Sequence, residues 1–327
     1  MKDLYGEYQS ILEILNSGDR KNEEKAVKML KNLAKKGHIP SINTLGYCYD
    51  YGMGVQKNAS KALKLYMQAA EHGYAKGQFN LAYCYSDGIG IKKDFGEAVK
   101  WYRRAAQQGH VRAQYNLGNC YFYGQGVEQG FEEAVKWYLR ASKQGHISSL
   151  CCLANCYATG TGTKKNMEKA LEIFTSLSEQ GHAQAQYHLA SCYYEGIGVA
   201  VDKEKAIQLY ESSAEQGYPD AQYCLGVCYE YGKHMEQNID KAVALYKSSA
   251  EQGCSLAQYN LGVLYIKGIG VTKDDKKAFD LFNSAAAKGV PEAIYNLAVC
   301  YENGHGVAKN PSKARELYAQ AKAKGVE

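Results

Sequence analysis

Glycine recurs in this chain at an interval of 36 residues: Gly37, Gly73, Gly109, Gly145, Gly181, Gly217, Gly253, Gly289 and Gly325. A spacing this short, held without slippage, marks stacked supersecondary units, none of which can bury its apolar face without a neighbour. Taking that glycine as position 0 of a unit, glycine also fills position 15 in all eight full units, from Gly52 to Gly304, and position 17 in seven, with His234 as the exception. These three positions absorb 24 of the 33 glycines. Glycine is therefore built into recurring turns and not into linkers.

Between the glycines the apolar period is helical. Leucine holds position 8 from Leu45 to Leu297, tyrosine position 12 from Tyr49 to Tyr301, and alanine position 25 from Ala62 to Ala314. Positions 4, 8 and 12 share one helix face, and a second segment repeats the pattern, as in Ala98, Trp101, Tyr102, Ala105 and Ala106. Each unit is thus expected to hold a helix A over positions 3–14 and a helix B over positions 22–34, joined by a glycine turn. Asn or Asp at position 21, with Gly130 as the exception, can cap helix B. Position 0 puts glycine just past its end. Pro40, Pro219, Pro291 and Pro311 all fall at helix starts. Residues 1–37 fit as a degenerate capping unit, with Gly18, Ala26, Leu30 and Leu33 in phase, and residues 38–325 as eight full units. The expected fold is all-α, a single array over residues 1–327 of about nine helix-turn-helix units.

Few function classes survive this reading. No apolar run approaches the ~18 residues of a membrane span. The amino terminus carries acids where a signal peptide has a basic end and an apolar stretch, so a cytoplasmic chain without membrane insertion is expected. Seven of the 11 cysteines occupy position 11 (Cys48, Cys84, Cys120, Cys156, Cys192, Cys228 and Cys300). Equivalent positions in stacked helices lie roughly 10 Å apart, too far for a disulfide, so these read as small buried thiols. Cys152–Cys156 and Cys224–Cys228 are i, i+4 pairs, but 72 residues separate them and no further ligand completes a zinc set. His38, His110, His146 and His182 repeat at position 1, which does not suit a catalytic role. Turns such as GIGIKKD at 88–94 lack the preceding strand and the Lys-Ser/Thr of a phosphate loop. No catalytic motif is present; neither enzyme activity nor a metal or cofactor is expected.

The consensus Ala-x-Tyr-x-Leu-Gly/Ala-x-Cys-Tyr-x-x-Gly-x-Gly, followed by Lys-Ala-x-x-Trp/Leu-Tyr-x-x-Ala-Ala-x-x-Gly, is clearest in residues 113–145 and 257–289. It resembles the Sel1-like repeat, a relative of the tetratricopeptide repeat with a slightly longer turn. The resemblance covers nearly the whole chain. It implies a right-handed α/α superhelical solenoid with adaptor or scaffold duties. Some secreted bacterial members staple each helix pair with a cystine, and binding or hydrolysis of cell-wall fragments (β-lactams or muropeptides) has been suggested for such relatives. That is the alternative reading here, although no helix B of this chain supplies the second cysteine. A pathogen effector acting on a host protein is another.

In such superhelices one face of helix A lines the concave groove. Positions 3, 7, 10 and 14 form that stripe; position 7 holds Asn80, Asn116, Asn260 and Asn296, position 10 Tyr47, Tyr83, Asn119 and Asn155, and position 14 Tyr51, Tyr123 and Tyr231. Asparagine offers both donor and acceptor to an extended peptide backbone, and related tetratricopeptide domains hold peptides in this way. Tyrosine adds rigid contact area with a polar tip. The competing reading is that the asparagines only serve neighbouring helix ends. Charges on the stripe nearly cancel, with Lys76, Arg112 and Lys267 set against Asp87, Glu195, Asp220 and Glu292, so nucleic acid is not expected. The partner class is a protein or extended peptide, bound by a monomeric solenoid.

Overall fold

A computed structural model of the chain describes residues 4–16 and 19–326; Gly18, expected in phase, lies outside the described residues. Among the described residues every regular element is an α-helix. The chain divides into two compact units, residues 1–166 and 167–327. The first holds α1 (Leu4–Leu15), α2 (Arg20–Lys35), α3 (Ile39–Tyr51), α4 (Ala59–Glu71), α5 (Ala75–Asp87), α6 (Phe95–Gln107), α7 (Val111–Tyr123), α8 (Phe131–Ser142) and α9 (Ile147–Thr159). The second holds α10 (Met167–Glu179), α11 (Ala183–Glu195), α12 (Lys203–Glu215), α13 (Pro219–Tyr231), α14 (Ile239–Glu251), α15 (Ser255–Lys267), α16 (Asp275–Ala287), α17 (Pro291–Asn303) and α18 (Pro311–Lys322). Within each unit every helix packs on its neighbours in sequence.

The helix ends form as the sequence grammar dictates. Asn58 Oδ1 accepts from the Lys61 N–H at 2.9 Å, and Asp94, Asp202, Asn238, Asp274 and Asn310 repeat that bond. Gly130 opens α8 without a side-chain cap. Helix A closes on the position-15 glycine in left-handed geometry; Gly52, at φ 77°, donates to the Cys48 carbonyl. The position-17 glycine is dictated twice over. Gly126 sits at φ 70°, and a Cβ there would lie 2.2 Å from the Phe95 carbonyl carbon. His234 is the one non-glycine residue at positive φ (61°) among the described residues.

The core is assembled from one layer per repeat. Position-8 leucines and position-25 alanines are buried throughout, and the position-29 rings of Tyr66, Tyr138, Tyr246 and Phe282 lie against the position-9 glycine of their own hairpins. A Cβ on Gly118 would come within 2.6 Å of the Tyr138 ring, so glycine there lets the helices close up. The seven position-11 cysteines are buried thiols without disulfides. In the first hairpin Tyr8, Ile11 and Leu15 of α1 are buried, and Tyr8 hydrogen-bonds Thr44 Oγ1 at 2.7 Å.

A polar ladder accompanies the apolar layers. Gln78, Gln114, Gln186 and Gln222, all at position 5, are buried. Their Oε1 atoms accept from Gln108, Gln144, Gln216 and Gln252 at 2.7–3.0 Å. Gln114 and Gln222 donate in turn to the Ala106 and Ala214 carbonyls at 3.1 and 3.2 Å. These carbonyls end helix B and each also accepts the N–H of the capping glycine, Gly109 or Gly217, so the glutamine adds a second bond at a buried helix terminus.

Candidate functional site

Helix A exposes the positions left over by the core. In the first unit these bring Tyr47 and Tyr51 of α3, Asn80 and Tyr83 of α5, Asn116, Asn119 and Tyr123 of α7, and Asn155 of α9 to the outward stripe, since residues three and four apart share a helix face. The tyrosines stand open: Tyr51 is 60% exposed, Tyr123 64%, Tyr47 43% and Tyr83 39%. The Tyr47 and Tyr51 rings lie 4.4 Å apart between centroids, tilted by 31°. Beneath them Asp50 is buried, its carboxyl raised above the usual range by loss of water despite Lys57 and a bond to the Tyr66 hydroxyl. The Tyr83 hydroxyl is bonded to Asp87, and that bond, followed by burial, raises its pKa.

The asparagines are half-buried and already engaged. Asn80 Nδ2 donates to Asn43 Oδ1 at 2.8 Å. Asn116 bonds the Tyr102 hydroxyl, and Asn119 Oδ1 accepts from the Tyr138 hydroxyl at 2.7 Å. Their partners are side chains of the neighbouring helices, not the helix ends weighed from sequence. Each amide still has hydrogen-bonding capacity beyond the one bond described. Tyr83, Asp87, Lys93, Tyr102, Asn116 and Asn119 converge on a surface cavity of about 350 Å³. Of the candidates on α5 and α7, Tyr83, Asn116 and Asn119 therefore meet at one place, and Asn80 and Tyr123 are not part of its lining. Asn155 lies on α9, apart from that cavity.

In the second unit the stripe is plainer. Tyr231 is 61% exposed. Asn260 Nδ2 donates to the Tyr246 hydroxyl at 3.1 Å, which in turn donates to Glu230 at 2.7 Å, and Asn296 bonds the Tyr259 hydroxyl. Val227, Val263 and Val299 are half-buried between them. His188, at position 7, stacks on Phe174 at 5.0 Å, and burial pushes its pKa down to about 4.

Residues that stood out by repetition have structural duties. His110 and His146 precede α7 and α9 and cap them, each Nδ1 accepting a backbone N–H at 3.2 Å. The signal was the shared position 1 ahead of helix A, read in the sequence only as a repeat. Cys84 is pushed up to about 12, and Cys120 to about 11, in each case chiefly by burial, so both stay protonated at neutral pH and are poor nucleophiles. Among the described residues no three His, Cys, Asp or Glu side chains gather as a metal set. No helix among the described residues is long and apolar enough to cross a membrane. The arrangement can bind, through open aromatic rings and spare amide bonds.

Comparison with known proteins agrees with this architecture. The Sel1 repeat family model matches residues 13–38, 40–74, 75–110, 111–146, 149–182, 183–218, 219–254, 255–290 and 291–326. No curated protein matches the chain. Among solved structures, a Sel1 repeat protein from Oxalobacter formigenes is 34% identical, covering 74% of this chain and 96% of its own, with a TM-score of 0.68. A protective antigen of uropathogenic Escherichia coli strains, displaying an SLR fold, is 31% identical over 98% of this chain and 80% of its own, with a TM-score of 0.55. An immunity protein from Pseudomonas aeruginosa shares the fold alone, at 22% identity over 65% of this chain and 81% of its own, with a TM-score of 0.50. With nine repeats matched in register with the observed helix pairs, the chain belongs to the Sel1 repeat family.

Proposed function

We propose that this chain is a non-catalytic adaptor that binds an extended segment of a partner protein along the exposed helix-A face of its first unit. Sel1 repeat proteins in general mediate protein–protein interaction. The observation that carries the reading is the set of four open tyrosines, Tyr47, Tyr51, Tyr83 and Tyr123, at solvent-facing helix-A positions, with Tyr83 lining a cavity beside Asn116 and Asn119. Large rings left in water on a helical face mark an interaction surface, and tyrosine anchors carry a large share of binding energy at such surfaces. Asn116 and Asn119 would offer their spare amide groups to the partner's backbone. Asn80, Asn155, Asn260, Asn296 and Tyr231 serve as subsidiary contacts in this reading, and the repeats work as one array. The buried thiols, at position 11 in seven of the eight full repeats, support a reducing, cytoplasmic setting.

The test is affinity capture from source-cell lysate with wild type beside the triple variant Tyr51→Ser, Tyr83→Ser, Tyr123→Ser, after circular dichroism shows equal helicity. A partner held by wild type and lost by the variant is expected. Equal capture by both would refute the assignment of this face.

A further inference from the structure

Successive B helices within a unit leave a groove between them, floored by the position-8 leucine of the intervening helix A and the position-33 alanine. Its rim changes from repeat to repeat. In the second unit the α12–α14 groove, about 300 Å³, is rimmed by Glu211, Glu215 and Lys241, and the α14–α16 groove, about 360 Å³, by Lys247, Glu251, Lys277 and Asp280. Both rims mix signs. The α2–α4 groove differs. It measures about 510 Å³, has Leu45 and Ala34 at its floor, and takes Lys28, Lys31 and Lys35 from α2. Lys61 and Lys64 stand exposed on α4. Lys31 and Lys61 converge from the two helices onto the ring of Tyr49, at 6.0 and 5.4 Å from its centroid.

None of these five lysines forms an ion pair among the described residues. The acids of α2 are directed elsewhere: Glu24 lies 3.9 Å from Arg20, and Glu23 accepts the Gly54 N–H at 3.0 Å. The first unit as a whole carries 23 lysines and arginines against 14 acids, a net charge of +9, whereas the second carries 16 against 20, a net −4.

We propose that the α2–α4 groove is a second docking site, distinct from the helix-A face, for an acidic segment of a partner protein. Its carboxylates pair with Lys28, Lys31, Lys35, Lys61 and Lys64, and an aliphatic side chain lies on the Leu45–Ala34 floor. Opposed charge selects and orients the segment, and the apolar floor supplies contact that charge alone does not. A nucleic acid fits less well because its phosphates continue at fixed spacing. The cationic track is one groove long: Glu71 and Glu97 stand on the helices of the next groove.

The probe is a short fluorescein-labelled peptide of alternating glutamate and leucine, followed by anisotropy with the full chain, beside a labelled oligouridylate. Binding of the peptide is expected, weakening as NaCl rises from about 50 to about 500 mM. Lys31→Glu with Lys35→Glu should lose about tenfold or more in affinity, as reversal of complementary charge predicts. Lys92→Glu with Lys143→Glu, the same charge change placed elsewhere on the unit, should keep wild-type affinity, as should Tyr83→Ser, which separates this site from the helix-A face. No peptide binding, equal loss in both charge variants, or oligouridylate bound more tightly than peptide would overturn the proposal.

Discussion

Gln258 shows at the scale of one residue what the polar ladder does. Its Nε2 donates to the Ala250 carbonyl at 3.1 Å, but its Oε1 has no protein partner. The cause is Lys288, which stands where Gln108, Gln144, Gln216 and Gln252 stand in other repeats and reaches the Gly253 carbonyl instead. Lys288→Gln should restore the pair and raise stability by about 1 kcal/mol, read as a higher urea midpoint at unchanged slope; a lower midpoint would contradict the ladder's role. Histidines give a second check. His110 and His188 are pushed down to about 4 from an ordinary 6.5, in both chiefly by burial, with Lys76 and Arg112 adding to the effect at His110. Between those values the unfolded chain binds protons that the folded chain does not. Stability is therefore full above pH 6.5 and declines as pH falls toward 4, on the order of 2–3 kcal/mol per histidine. His188→Asn should lessen that decline in urea titrations, and an unchanged pH slope would contradict the assignment.

At the scale of the element, the repeat is held in register by its turns. Gly126→Ala would force a Cβ into the Phe95 backbone and hold alanine at φ 70°, so a loss of roughly 3 kcal/mol or more is expected. Denaturation of the variant within about 1 kcal/mol of wild type would show that the close approach is not needed. Turns of this kind were legible in the sequence because they depend on residues whose backbone preferences are strong: the Asn/Asp caps, the left-handed glycines and the helix-start prolines all fall where the 36-residue grammar puts them. Helix A begins at position 2, one residue earlier than expected, as in Ile39–Tyr51. What pattern could not reveal was pairing between elements. Gln78 and Gln108 lie 30 residues apart, and each alone looks like a surface glutamine. Position-1 histidines were noticed, yet their capping role needs the ring's orientation. The exposed tyrosines were found because solvent-facing positions follow from helical period. The engagement of Asn80 with Asn43 and of Asn119 with Tyr138 depends on packing across helices, which periodicity does not encode.

At the scale of the whole molecule, two compact units share one repeat grammar but carry opposite net charge and different helix-A faces. The first offers four open tyrosines, of which Tyr83 lines a polar cavity; the second offers Tyr231 among half-buried valines. That difference is why the proposed binding face lies on the first unit. The most direct measurement is site-specific photo-cross-linking in source cells, with p-benzoylphenylalanine replacing Tyr51, Tyr83 or Tyr123 in turn, and replacing exposed Gln208 on α12 as the comparison. The account predicts one shared cross-linked protein from the three helix-A positions and none of it from Gln208. Cross-links to that protein from Gln208 alone, or from all four positions alike, would contradict it.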